Sequence, residues 1–439
     1  MTTQSATEPG VLDLSEQRAR DLDAADPLPS RRGEFHLLPA GAGDYPEISY
    51  MAGNSLGLQP RSARVLLEQE LSDWARLGVE GHLEAERPWA PYHEFLREPA
   101  ARLVGALSSE VVVMNSLTVN LHLMMISFYR PTEQRYAIVI EDSAFPSDSY
   151  AARSQAAFHG FDPDTAVIRL RPRDGEDVLR TADVLDVLAA EGHRIAMLML
   201  GGVNYLTGEL MDIPTITTAA QQQGIVVGWD LAHAAGNVPL RLHEWGVDWA
   251  AWCNYKYVNS GPGALAGCFV HERHLADRSL PKLQGWWSTK YETRFQMKPV
   301  VEPVDSADSW QLSNPPILAM APVLASLRMF DETGMEALRG KSLRLTAYLE
   351  EILHAQVGEL PLTIITPADP ERRGTQLSVR IGGGLAAGDV AGWLRHEHGV
   401  IADARQPDVI RLAPVPMYCT FHDAWRAARA LVEVVRGRV

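Results

Sequence analysis

Only three cysteines occur in 439 residues, Cys253, Cys268 and Cys419. They show neither paired spacing nor a metal-ligand cluster, which argues against a disulfide framework and fits a reducing compartment, so the cytoplasm is the expected location. Positive charge is also scarce, since 40 Lys and Arg against 55 Asp and Glu leave a net charge of −15. A broad surface for nucleic-acid phosphates is therefore not expected, and any phosphate must be held locally. No apolar run approaches the ~18 residues of a membrane span, and the opening MTTQSATEPG lacks a positive start followed by an apolar stretch, so no membrane segment is expected. The first dozen residues are expected to be mobile. Internal repeats and low-complexity tracts are missing too. His271 and His274 in HERH, and His396 and His398 in HEH, lack a third ligand at metal spacing, so no metal is expected.

What is present is a large apolar fraction, 46%, in a chain longer than one ordinary domain. Polar helical sequence opens the chain, a turn follows around RRGEFHLLPAGAGDYPEISYMAGNSLG, and an amphipathic helix runs from about Arg61 to Leu77. From about Ala90 to Trp310 helices alternate with the strand-like runs RYAIVIE, AVIRL, RIAMLML, IVVGWD and GALAGCFVH. That is the pattern of an α/β unit with a mostly parallel sheet covered on both faces. A long helix is expected just after the paired prolines of SNPPILAM, and TQLSVRI, HGVIADAR and DVIRLAP then read as short strands of a smaller C-terminal α+β domain. The expected division is an arm over residues 1–80, a large domain over 81–314 and a small one over 315–439.

Two residues carry the chemistry of this reading. IVVGWD reads as a buried strand delivering Asp230, and VDWAAWCNYKY as a second strand ending at Lys256. AAGNVPLRLHEWG between them reads as a turn and a short helical stretch. An aldehyde coenzyme needs a lysine for a Schiff base and a carboxylate near its pyridine nitrogen, so the pair suggests a pyridoxal-phosphate site. Taken singly, such an aspartate is more often a cap or turn residue and such a lysine more often a solvated one. Tyr255, Tyr257, Trp249 and Trp252 shift the balance, because a lysine among aromatics is partly desolvated and more nucleophilic. NSLTVNLHL offers Leu117 and Thr118 at a helix start, where free amides suit a phosphate or where Asn115, Ser116 and Thr118 simply cap the helix. Phe145, Pro146, Ser147 and Asp148 follow a strand, the place where ligands of open α/β sheets gather, although FPSD by itself is a turn.

GNSLGLQP, RPW, NSLTVNLHL, FPSD, DLAHAAGN, WCNYKY, SNPP and RLAPVPMY occur in the order found in kynureninases, and the chain resembles that family over nearly its whole length. The resemblance implies the aspartate-aminotransferase-like fold and a homodimer with shared active sites. It implies hydrolysis of L-kynurenine or 3-hydroxy-L-kynurenine to the anthranilate and L-alanine in tryptophan catabolism. It places Leu117, Thr118, Phe145, Pro146, Ser147, Asp148, Asp230, His233, Tyr255 and Lys256 around the coenzyme, with Trp286 and Asn314 reaching it from the partner subunit. Lys256 would serve as anchor and then as base, and Tyr255 as proton donor or acceptor. Arg411 would clamp the substrate carboxylate with a forked pair. Ser55 in GNSLG would join the substrate site, and His82, Ser313 and Asn314 would surround the aryl ring.

One position departs from the family pattern. Gly201 stands where some kynureninases carry a serine beside the coenzyme, so a side-chain hydrogen bond is missing there; a backbone amide or water can substitute, and the expected cost in coenzyme affinity is at most ~1 kcal/mol. Other readings on the same fold are a cysteine desulfurase, which would need a mobile nucleophilic cysteine, an aminotransferase, and a non-catalytic dimeric module.

Overall fold

The computed structural model describes residues 13–439, so the mobility expected of the first dozen residues lies outside the described part. In chain order the strands are β1 (Ser49–Tyr50), β2 (Val111–Met114), β3 (Ala137–Glu141), β4 (Val167–Leu170), β5 (Ile195–Gly201), β6 (Val226–Asp230), β7 (Trp249–Cys253), β8 (Ala266–Val270), β9 (Leu362–Ile364), β10 (Leu377–Ile381), β11 (Val400–Ile401), β12 (Asp403–Arg405) and β13 (Val409–Leu412). Seven form one sheet in the order β2-β8-β7-β6-β5-β3-β4. Its pairs are parallel except those of β8, which runs against both neighbours.

Successive residues of these strands enter different cores. Ala137 and Val139 of β3, with Ala250 and Trp252 of β7, join one apolar cluster, while Ile138, Ile140, Trp249 and Ala251 join the cluster on the other face. Apolar residues of both parities are what a sheet covered on both sides requires. β3 has β4 on one side and β5 on the other, so the chain changes its direction of travel across the sheet there. The crevice outside such strand ends is the usual ligand position in open α/β sheets.

The helix expected from Arg61 to Leu77 forms with those bounds and packs against the helix Ile317–Thr333, which follows the paired prolines. The C-terminal part carries an antiparallel sheet, β12-β13-β10-β9, and the helices Met335–Val357, Ala387–His398 and Phe421–Arg436. β1 pairs in parallel with β11 and so ties the N-terminal arm to this part. Among the described residues, no helix is long and apolar enough to cross a membrane.

Two local expectations are corrected. β7 ends at Cys253, not Lys256. Asn254 ends it by donating from Nδ2 to the Leu265 carbonyl (2.8 Å) and accepting the Ser260 amide on its own carbonyl (2.9 Å), and Lys256 sits in the turn that these bonds close. Residues 234–246 form a succession of turns with no helix. Gly236 takes a left-handed φ of 75°, and Pro239 brings no amide donor to continue a helical ladder.

Candidate active site

Asp230 is the last residue of β6, Gly201 of β5 and Glu141 of β3, so three adjacent strands end at one place. A cavity of about 190 Å³ opens there, walled by these residues and by Ser116, Leu117, Thr118, Phe145, Ser147, Asp148, Asn204, Tyr205, His233, Tyr255 and Lys256. Of the expected coenzyme residues within one chain, only Pro146 is not in the wall, and it is the first residue of the helix that carries Ser147 and Asp148.

Lys256 is half-buried, and its Nζ lies 3.0 Å from His233 Nε2 and 5.9 and 5.8 Å from the ring centres of Phe145 and Tyr255. Burial holds the His233 imidazole well below its ordinary range, and the charges of Lys256, Arg411 and Arg405 push the same way. A neutral ring can accept from the lysine ammonium, and its Nδ1 is buried without a partner. Asp230 accepts the Ala232 amide at 2.7 Å; burial raises its pKa and the Lys256 charge works against that rise. Asp148 is raised well above the carboxylate range by burial and by the neighbouring Asp230 charge. Two carboxylates in one buried pocket resist ionising together, which leaves a proton to be displaced when a cation arrives.

Part of the wall is a helix start. Ser116 precedes the helix Leu117–Phe128, yet its side chain makes no capping bond. Asn115 spends its amide on Asn120 Oδ1 (3.0 Å) and Asn120 on the Met114 carbonyl (3.0 Å), so the capping alternative fails and the first-turn amides are left for an anion.

Sequence reasoning missed several cavity residues. Glu141, fully buried and with its pKa raised by that burial, accepts from the Gly201 amide (2.9 Å) and from Asn204 Nδ2 (2.5 Å). The Gly201 amide is thus spent on Glu141 and does not stand in for a serine toward the coenzyme, and a Cβ there would lie 3.0 Å from Glu141 Oε1. The available signal in the sequence is the Glu at the strand end of IVIED. Tyr205 packs edge-on against Phe145, with ring centres 5.2 Å apart.

GNSLG joins the lysine to the C-terminal sheet. The Gly57 amide donates to the Tyr255 carbonyl at 2.8 Å, and a Cβ on Gly57 would stand 2.5 Å from the Lys256 carbonyl oxygen. Only glycine allows that approach. Two residues earlier, Ser55 Oγ accepts from Arg411 Nη2 at 3.1 Å and donates to Asp403. The fork expected between Arg411 and a substrate carboxylate is already taken up: Nε and Nη2 reach Asp403 Oδ1 at 2.9 and 2.6 Å, and Nη1 reaches the Tyr205 carbonyl at 2.6 Å. Ser55, Arg411, Trp286, Ser313, Asn314 and His82 do not line this cavity. Ser313, Asn314 and His82 are exposed, as is 43% of Trp286, and His82 Nδ1 turns to the Val79 carbonyl at 2.9 Å.

His271 of HERH meets Glu110 and His243, but the Glu110 oxygens already accept from the Leu107 and Glu272 amides and from His243. All three cysteines are buried.

A lysine amine for an aldehyde, a buried carboxylate for a pyridinium and uncapped amides for a phosphate form the donor set that pyridoxal phosphate needs, and the cavity wall fits that coenzyme. Solved structures agree on the fold: a cysteine desulfurase from Thermococcus onnurineus superposes with a TM-score of 0.73 at 15% identity, covering 89% of this chain and 95% of its own. A C-DES variant with glycine linked to its PLP cofactor gives 0.75 at 16%, covering 88% and 96%. The fold is therefore the one these proteins share, fold type I. Residues 338–431 match the kynureninase C-terminal domain model. Kynureninase of Salinispora tropica is 65% identical over 96% of this chain and 97% of its own, and those of Koribacter versatilis and Myxococcus xanthus are 53% and 52% identical over 96% and 97% of this chain and 98% of their own. The chain belongs to the kynureninase family.

Proposed function

We propose that the chain is a pyridoxal-phosphate-dependent hydrolase that cleaves L-kynurenine, 3-hydroxy-L-kynurenine or both into the anthranilate and L-alanine. It acts in tryptophan catabolism and, through that pathway, in NAD biosynthesis, in the cytoplasm. The observation that carries the reading is Lys256 Nζ facing a cavity that also holds the Asp230 carboxylate and the open start of the Leu117 helix.

The bound coenzyme supplies an electron sink for the substrate's alpha carbon. Lys256 would hold it and would also be the base that takes the alpha proton. Asp230, backed by Asp148, would keep a positive charge on the pyridine nitrogen. The amides of Leu117 and Thr118 would hold the phosphate and Phe145 would border the ring, with Pro146 and Ser147 on the helix that follows Phe145. Tyr255, whose phenol burial keeps protonated, exchanges a proton at the side-chain ketone as water adds and the beta–gamma bond breaks.

Arg411 and Ser55 receive the alpha carboxylate, and His82, Ser313 and Asn314 face the aryl ring. The protein works as a homodimer in which Trp286 and Asn314 serve the partner's site; their position outside the cavity of their own chain supports this. The three parts are the arm (1–80), the coenzyme domain (81–314) and the small domain (315–439). Borohydride reduction of the holoenzyme followed by peptide mapping tests the site: the coenzyme mass belongs on the peptide containing Lys256, and its recovery on another lysine would overturn the assignment.

A further inference from the structure

Asp403 and Arg405 lie on β12, and Arg411 on the adjacent β13, where Asp403 is in register with Arg411. Their exposures differ in a way that assigns them different parts: the Arg411 side chain is 0% exposed, Asp403 15% and Arg405 33%. Arg411 has five N–H groups. Two go to Asp403, one to Ser55 and one to the Tyr205 carbonyl, so a single Nη1–H remains. An incoming carboxylate cannot form a forked pair until Asp403 lets go. Asp403 has somewhere to go, because Arg405 Nε already stands 3.0 Å from its Oδ1. The Arg405 guanidinium also lies 5.9 Å from the ring centre of Tyr205, which lines the cavity.

We propose that Asp403 is a built-in competitor for the substrate's alpha carboxylate, and that Arg405 is the partner that draws Asp403 off Arg411 when substrate binds. The proposal rests on the reading of Arg411 as the carboxylate residue. Charge supports the exchange: two guanidiniums and one carboxylate leave one positive charge unbalanced, and the substrate carboxylate makes two pairs of two. In the exchanged state the substrate holds the Nε/Nη2 edge of Arg411 and the Ser55 hydroxyl, while Asp403 rests on Arg405. No bond is made or broken apart from hydrogen bonds. The arrangement keeps a fully buried guanidinium paired in the empty enzyme, which an unpaired charge in that position would not tolerate cheaply.

The exchange predicts effects of opposite sign from two neighbours, which a merely structural role would not produce. L-alanine and ethylamine, which differ by the carboxylate alone, are titrated against holoenzyme through the change in coenzyme absorbance. Asp403→Asn is expected to tighten L-alanine binding, Arg405→Gln to weaken it, each by roughly threefold to tenfold, the size of a partly exposed charge contact. Arg405→Lys recovers part of the loss, and ethylamine affinity moves in neither variant. Asp403→Asn also lowers the melting temperature of the free enzyme, and saturating L-alanine restores it. Weaker L-alanine binding in Asp403→Asn, or unchanged binding in Arg405→Gln, would overturn the exchange. Should Asp403→Asn fail to fold, the two Arg405 variants decide the matter. A wild-type enzyme that shows no preference for L-alanine over ethylamine would overturn both the exchange and the role of Arg411 beneath it; a preserved preference with unresponsive variants would sink the exchange alone.

Discussion

Lys256 Nζ and His233 Nε2 stand 3.0 Å apart, and the other ring nitrogen of His233 is buried without a partner. The lysine is thus held at the cavity by a neutral imidazole and not by a carboxylate, and no salt bridge has to be broken when it takes up its chemical role.

Lys256→Ala should abolish turnover, with less than one part in a thousand of wild-type kcat remaining, because anchor and base are lost together. The fold should survive, since the side chain is half-buried and Nζ bonds only to His233. Turnover and melting temperature, measured on one preparation, check both; near-normal turnover would remove the central claim.

Gly201→Ser tests how the departing position is satisfied. The amide already bonds Glu141, and the new Cβ would press Glu141 Oε1 at 3.0 Å. A serine hydroxyl can add one neutral hydrogen bond of ~1 kcal/mol, less the strain. The coenzyme dissociation constant should therefore change by less than about tenfold, and a larger change in either direction would mean that Gly201 matters for another reason.

Arg411→Ala should raise KM by at least about tenfold while affecting kcat less, through loss of the carboxylate clamp. It should also cost stability, roughly 3 kcal/mol at most, since Asp403 loses a buried partner but keeps Arg405. Steady-state kinetics and urea unfolding separate the two effects; unchanged KM and kcat would reassign the residue.

Much of this was legible in the sequence, and the reasons are local. Apolar runs with Val and Ile mark β3 to β6, and Pro315 and Pro316 mark the start of the helix that follows them, because strand burial and proline geometry act on neighbouring residues. The pair Asp230 and Lys256 was visible for the same reason, each lying at or just beyond a strand. Glu141, Tyr205, Asp403 and Arg405 were not. Glu141 reaches the site because β3 lies beside β5 in the sheet, and Asp403 because β12 pairs with β13 next to GNSLG, some 350 residues upstream. Such contacts depend on strand order and register, which no short motif encodes. The pairing of Asp403 with Arg411 in the empty site is hidden from the sequence for the same reason.

His93 supplies a pH prediction away from the cavity. Burial, with the Arg97 charge, holds its pKa down at about 4 against 6.5 for an ordinary histidine. Between those values the unfolded chain takes up a proton that the folded chain refuses. The contribution is intact above pH 6.5, is lost as pH falls, and levels off near pH 4 at about 3 kcal/mol. His93→Gln should flatten that part of the acid limb relative to wild type in denaturant unfolding at pH 7, 5.5 and 4.5; parallel curves would show that His93 is not a source of the slope.

The cysteines supply a test of the desulfurase alternative. Burial raises the thiol pKa of Cys253, Cys268 and Cys419, so none offers an accessible thiolate. Native enzyme should react with less than one equivalent of a thiol-specific reagent and release no sulfide from L-cysteine, and all three thiols should become reactive on unfolding.

The most direct test is turnover of kynurenine and 3-hydroxykynurenine side by side on the purified holoenzyme, with the aromatic product and alanine quantified by mass spectrometry. Equimolar anthranilate, or 3-hydroxyanthranilate, and alanine from at least one substrate is the expected result, and the ratio of the two rates reports how the aryl pocket is tuned. Absence of both products, with the coenzyme bound at Lys256, would contradict it and leave the fold serving a different reaction.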